Sequence, residues 1–151
     1  FAAQAEVLRL IPGLEHARFL RYGQVHRNSY LQAPVVLTPA LQLRARRTVL
    51  VAGQLCGTEG YVEAIATGYL AGAFAAALAR GATPIPPPRA TALGSLLHYM
   101  INAAPDAYAP ANITFDLLPP LPTPEPDRAR RHQAQCEIAL AAAGTWLPPI
   151  T

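Results

Sequence analysis

The residues whose types and spacing could carry chemistry lie in Ala52-Gly53-Gln54-Leu55-Cys56-Gly57-Thr58-Glu59-Gly60-Tyr61. Gly53, Gly57 and Gly60 remove Cβ atoms, so backbone there can lie against a flat or phosphorylated cofactor. Gln54 can both donate and accept, which suits the polar edge of a fused-ring cofactor such as a flavin. Tyr61 offers a ring either for stacking on a ligand or for packing in a core. Thr58 and Glu59 are expected to contribute backbone N–H groups rather than side chains. The rival reading of the same glycines is a tight strand-to-helix turn that needs them for geometry alone.

Such a loop must be positioned by the elements on either side. Thr48-Val49-Leu50-Val51-Ala52 is apolar and bounded by charge before and glycine after, which predicts a central strand buried on both faces, as in parallel α/β sheets. After the loop, residues 60–80 read as a nearly uncharged helix. Glu63 lies in its first turn, Arg80 at its end, and Gly81 suits the residue beyond. Such a helix turns unpaired N–H groups and a partial positive charge toward anything seated at its start. Ala64, Gly68, Gly72 and Ala76 recur every four residues, a smooth ridge predicted to approach a sheet closely. The run is long enough for a membrane span, but its apolarity comes largely from Ala and Gly, with Glu63, Thr67 and two Tyr interrupting it. A soluble core helix is the expected outcome.

The remaining elements are punctuated by proline. Residues 1–10 predict the end of a helix closed by Ile11-Pro12-Gly13, followed by a strand over Arg18 to Gly23. Short strands are expected at Tyr30-Leu31 and Val35-Val36-Leu37. Prolines cluster at Pro84 to Pro88, at Pro119 to Pro126 and at Pro148-Pro149, each ending regular structure. Helices are predicted over Ala90 to Asn102, with Leu93, Leu96, Leu97 and Met100 on one face, and over Arg128 to Ala143. The arginines opening that last helix oppose its dipole.

Composition limits the function classes. Charged residues make up 14% of the 151, and all twelve basic residues are Arg. Arg suits phosphate recognition through its planar fork, but a net charge of +3 and a pI of 9.2 are too mild to argue for nucleic acid alone. Cys56 and Cys136 are far apart without metal-ligand spacing, so neither a disulfide scaffold nor a zinc site is expected. Cys56 reads as a small buried hydrophobe despite its place in the loop. His26, Arg27 and Asn28 form a polar triplet that either lines a substrate site, with Arg27 on RNA phosphate, or makes a hydrogen-bonded turn. Asn112 is open between a structural and a cofactor-adjacent role. The dinucleotide fingerprint G-x-G-x-x-G is absent. With Phe1 in place of an initiating Met, the expectation is the C-terminal part of a larger enzyme.

The segment Ala52 to Ala64 resembles the A-G-Q-x-x-G-x-x-G-Y-x-E stretch shared by two groups of tRNA-modifying flavoproteins. Ile11-Pro12-Gly13-Leu14-Glu15, Phe19-Leu20-Arg21-Tyr22-Gly23, His26-Arg27-Asn28, Thr91 to Leu97 and Leu117-Leu118-Pro119-Pro120 are similar to the folate- and FAD-dependent tRNA (uracil-5-)-methyltransferases specifically. Asp116, where that pattern has Gly, and the Pro-rich tail depart from it.

The resemblance implies an α/β chain: the C-terminal part of a Rossmann-like, glutathione-reductase-like FAD-binding domain with the end of an inserted smaller α+β domain. It implies residues 1–40 as that inserted end, 41–118 in the FAD domain and 119–151 as linker and C-terminal helix. It also implies methylenetetrahydrofolate as carbon donor, FAD as carrier and reductant, NAD(P)H to restore the flavin, and the T-loop uridine of tRNA as acceptor, in the cytoplasm and without a membrane. Gly53, Gln54, Gly57, Thr58, Glu59, Gly60 and Tyr61 would touch FAD, and His26, Arg27 and Asn28 the substrate. The cysteines of that chemistry would lie upstream of Phe1, so no catalytic residue falls here. The rivals are the wobble-uridine carboxymethylaminomethyl-modifying flavoprotein and a non-catalytic tRNA-binding module.

Overall fold

A computed structural model describes residues 2–23 and 29–146. Five α-helices are found among them: α1 (Ala2–Leu8), α2 (Ala33–Val36), α3 (Tyr61–Ala79), α4 (Ala92–Asn102) and α5 (Arg128–Thr145). Two strands, β1 (Gln42–Leu43) and β2 (Arg46–Leu50), pair with each other. The chain is therefore mixed helix and strand.

The central parallel strand predicted at Thr48 to Ala52 takes another form. β2 pairs antiparallel with β1, with Leu43 opposite Arg46 and Gln42 opposite Leu50, and an irregularity between them. Arg44 and Ala45 make the turn, so the charges ahead of the apolar run mark a hairpin rather than a sheet edge. Arg46, Arg47 and Thr48 are exposed, and burial is reached only at Val51. The hairpin is anchored by Leu41, which adopts φ +58° with a fully buried side chain. A left-handed leucine costs about 1 kcal/mol, which burying the side chain offsets. Thr38 holds this bend, its Oγ1 accepting from the Gln42 and Ala40 amides.

Three other strand expectations fail. Tyr30-Leu31 is irregular, the Leu31 amide donating to the Leu55 carbonyl at 2.9 Å rather than to a neighbouring strand. Residues 18–23 are irregular, with Phe19 against Tyr22, the Arg9 guanidinium over the Phe19 ring, and Leu20 in solvent. Val35-Val36 lies in α2, where Pro34 fits the first turn because its missing N–H has no helical partner there. Only Leu37 pairs like a strand, in a single bridge to Leu43.

The other four helices fall where predicted. α1 gives way to turns before Gly13, which sits at φ +89°. α3 runs from Gly60 to Arg80 as caps, with Gly81 at φ +73°. Its buried face is Thr67, Leu70, Ala73, Phe74 and Ala77, packed with Leu37, Leu41, Leu96 and Met100 into one core. The smooth ridge is not that face. Gly68 and Gly72 border open space within this chain, beside exposed Tyr61, Val62, Ile65 and Tyr69. An all-apolar helix carries no periodic contrast to say which face turns inward. By length and composition α3 is the one helix among the described residues able to cross a membrane.

α4 begins at Thr91, whose hydroxyl accepts from the Gly94 amide and donates to the Pro88 carbonyl. Residues 84–88 thus form an irregular strap across α4. α5 is capped by Asp127, whose carboxylate accepts from the Arg130 amide at 2.9 Å. That anion at the helix start offsets the arginines that oppose the dipole. Gln135, His132 and Trp146 then tie α5 to Pro119, Phe115 and Ile85.

Candidate functional site

β2 delivers the chain through Val51 and Ala52 into a 3-10 turn at Gly53–Cys56, and Gly60 then opens α3. The turn is held from both sides. The Gly53 amide donates to Thr67 Oγ1 at 2.9 Å, and that hydroxyl donates in turn to the Glu63 carbonyl one helical turn earlier. Cys56 Sγ donates to the Gly53 carbonyl across the turn at 3.0 Å. The Cys56 side chain is fully buried, and burial pushes its thiol up to about 11 against the smaller opposing effect of Thr67. It is a structural cysteine, unsuited to nucleophilic or redox work near neutral pH.

Beyond the turn, Gly57 takes the left-handed conformation at φ +91°. Thr58 then forms a parallel bridge with Ala111, whose amide donates to the Gly57 carbonyl and whose carbonyl accepts from the Glu59 amide at 3.0 Å. The Glu59 N–H, expected to face a ligand, is therefore committed to the chain itself. Glu63 is committed as well, its Oε1 accepting from the Ile113 amide at 3.0 Å.

The glycines divide the two readings of this loop. A Cβ on Gly57 would overlap the Tyr108 hydroxyl, which donates to the Cys56 carbonyl at 2.9 Å. A Cβ on Gly60 would crowd the Glu63 carboxylate and Asn112. At Gly57 the absent side chain makes room for the protein's own atoms, as the geometric reading requires. Gly57 and Thr58 are buried, whereas Gln54, Leu55, Glu59, Gly60 and Tyr61 are exposed and Gly53 is half-buried. The face open to a ligand is thus Gln54 with the Glu59-Gly60-Tyr61 corner, where Asn112 also stands. Gly60 supplies no side-chain cap to α3, so the helix's first amides lack a capping acceptor from that residue. Thr58 Oγ1 is buried without a hydrogen-bond partner, an unspent polar atom in the loop's wall. The open half fits the electron-rich edge of a flat cofactor; the buried half serves packing.

Tyr61 is exposed at the head of α3, free of the core. His26, Arg27 and Asn28 lie outside the described residues. Sequence reasoning missed Thr67 and Tyr108, which hold the loop from behind. A polar residue on an otherwise apolar helix was the available signal for Thr67. Tyr108 packs between Tyr30 and Tyr99 from a distant irregular segment, and no local pattern announces it.

Comparison with known proteins places the chain in a family. The family model described as glucose inhibited division protein A matches residues 1–83. The chain is 60% identical over 147 residues to a methylenetetrahydrofolate–tRNA-(uracil-5-)-methyltransferase of Solibacter usitatus, covering 94% of this chain and 33% of that protein. Similar proteins of the same description occur in Koribacter versatilis, at 50% identity over 97% of this chain and 34% of the relative. Another, in Symbiobacterium thermophilum, reaches 46% over 98% and 33%. The chain spans about a third of the length of these curated relatives.

Proposed function

This chain belongs to the family described as glucose inhibited division protein A, and on that premise we propose that it serves an FAD-dependent tRNA (uracil-5-)-methyltransferase. In this reading methylenetetrahydrofolate donates the carbon, NAD(P)H restores the reduced cofactor, and the T-loop uridine of tRNA is the acceptor. The observation that carries the reading is the similarity, at 46–60% identity over nearly all of this chain, to proteins named for that activity.

The chain's own residues fit one wall of a Rossmann-like FAD site. FAD, when bound, would carry the methylene and supply reducing electrons. Gln54 would donate and accept at the cofactor's polar edge, and the uncapped amides of α3 would stabilise negative charge there. Gly60 would allow close approach and Tyr61 would cover the ring, while Thr67 and Tyr108 act as positioning residues behind the loop. Gly53, Gly57, Thr58 and Glu59 set the path of the backbone. His26, Arg27 and Asn28 are proposed to meet the RNA, and residues 1–40 to end a smaller inserted domain. A cytoplasmic protein outside the membrane accords with this chemistry.

The test is to express the complete open reading frame containing this chain. It is then assayed for carbon transfer from labelled methylenetetrahydrofolate to tRNA lacking 5-methyluridine, with NADH or NADPH. Label in the T-loop uridine, dependent on FAD, is the expected result. A modified wobble uridine would move the chain to the carboxymethylaminomethyl group, and RNA binding with no product would make it a non-catalytic module.

A further inference from the structure

Outside the Gly53-to-Tyr61 loop, polar side chains gather where the proline strap crosses α4. A cleft of about 190 Å³ runs there, floored by Pro86, Pro87, Leu97 and Ile101 and rimmed by Arg89, His98 and Asn102. A neighbouring cleft of about 190 Å³ shares those three polar residues and is walled by Tyr99, Asp116 and Leu117.

We infer that the first cleft is an RNA subsite in which Arg89 and His98 hold one phosphodiester and the adjoining nucleoside lies on the apolar floor. The choice of RNA rests on the tRNA-methylating reading; the site itself rests on geometry. Ser95 is fully buried, and its hydroxyl accepts from the Arg89 guanidinium while donating to the Arg89 carbonyl at 2.8 Å. That loop pins the guanidinium at the rim and takes only one of its five N–H donors. Pinning matters because a preorganised arginine loses less entropy when it grips a phosphate. Asn102 Nδ2 donates to the His98 carbonyl at 2.9 Å and lies 3.2 Å from His98 Nδ1. The Asn102 amide thereby tethers the imidazole at the rim, and in the tautomer whose Nδ1 accepts from it Nε2 is a donor for the phosphate. Exposed Pro86 and half-buried Ile101 offer the apolar surface for a ring, backed by buried Pro87 and Leu97. Asp116 lines the companion cleft and not the first.

The 151-residue chain is titrated with a fluorescein-labelled, uridine-containing RNA hairpin across a series of salt concentrations, read by anisotropy. Arg89→Gln is expected to weaken binding roughly tenfold and to lower the slope of log K against log salt by about 1. Arg89→Lys should restore the slope but only part of the affinity. His98→Gln, at an exposed position, should weaken binding without disturbing the fold, and the His98 imidazole resonances should shift as RNA is added. If the hairpin binds wild type and every variant with one slope and unmoved His98 resonances, the subsite is wrong and the tRNA reading stands. Absence of binding by wild type at low salt would overturn the subsite, whereas the tRNA reading is decided by carbon transfer in the complete open reading frame.

Discussion

The Gly53–Gly60 loop and the strap over α4 both bring chain segments together at a glycine, by opposite means. Gly57 is needed twice over: its φ of +91° is left-handed, and the Tyr108 hydroxyl fills the space beside it. Gly94 sits in ordinary helix, but its missing side chain admits the Pro88 and Pro87 carbonyls. One glycine lets the backbone turn and the other lets a distant segment lie flat on a helix. Gly57 is recognisable in a sequence by its motif. Gly94 would pass for a mere helix weakener until its neighbour is known.

The comparison can be broken most sharply at the glycines. Gly57→Ala combines left-handed strain with overlap on a buried ring and should cost about 3 kcal/mol. Gly94→Ala gains helix propensity but displaces backbone, and a net loss of about 2 kcal/mol is expected. Urea denaturation measures both, and a neutral Gly94→Ala would show that the strap does not rest on α4.

A smaller effect separates support from contact. Thr67→Val keeps the shape of the side chain but orphans the Gly53 amide, for about 1.5 kcal/mol. Amide exchange at Gly53 should quicken while exchange in α4 stays slow. Unchanged protection at Gly53 would show that the Thr67 hydroxyl does not hold that amide.

The last effect is nil near neutral pH and appears only in alkali, a pH dependence confined to the loop. The folded state raises the Cys56 thiol from 9.0 to about 11, chiefly by burial. Between those values the unfolded chain loses its proton first, so this contribution to stability is intact below pH 9 and fades as pH rises toward 11. Cys56→Ser should flatten that fall. At about pH 8, below the ordinary thiol pKa, a thiol reagent should label exposed Cys136 and spare Cys56 until the protein unfolds. Prompt labelling of both would show the loop to be open.

Much of the helical framework was legible from residues alone. Gly60, Glu63, Arg80 and Gly81 mark the ends of α3 because caps and turn residues act over a few bonds, whereas α4, expected from Ala90, starts after the Thr91 cap. The strands were not legible. Val35 and Val36 favour a pleat, yet Pro34 starts a helical turn there; Thr48 to Ala52 reads as doubly buried, yet half of it is a hairpin arm. Strand pairing depends on partners far along the chain, which local preference cannot name.

The candidate site divides the same way. The sequence by itself determined that a glycine-rich loop enters a long small-residue helix, since glycine spacing and helix signals are local properties of the backbone. Only the tertiary structure decided which part of that loop is available. Tyr108 and Ala111 arrive from about fifty residues away to fill its inner side, and Thr67 turns inward to hold it. What remains open is the Gln54 edge and the Glu59-Gly60-Tyr61 corner, because close packing consumes every surface that a neighbour can reach.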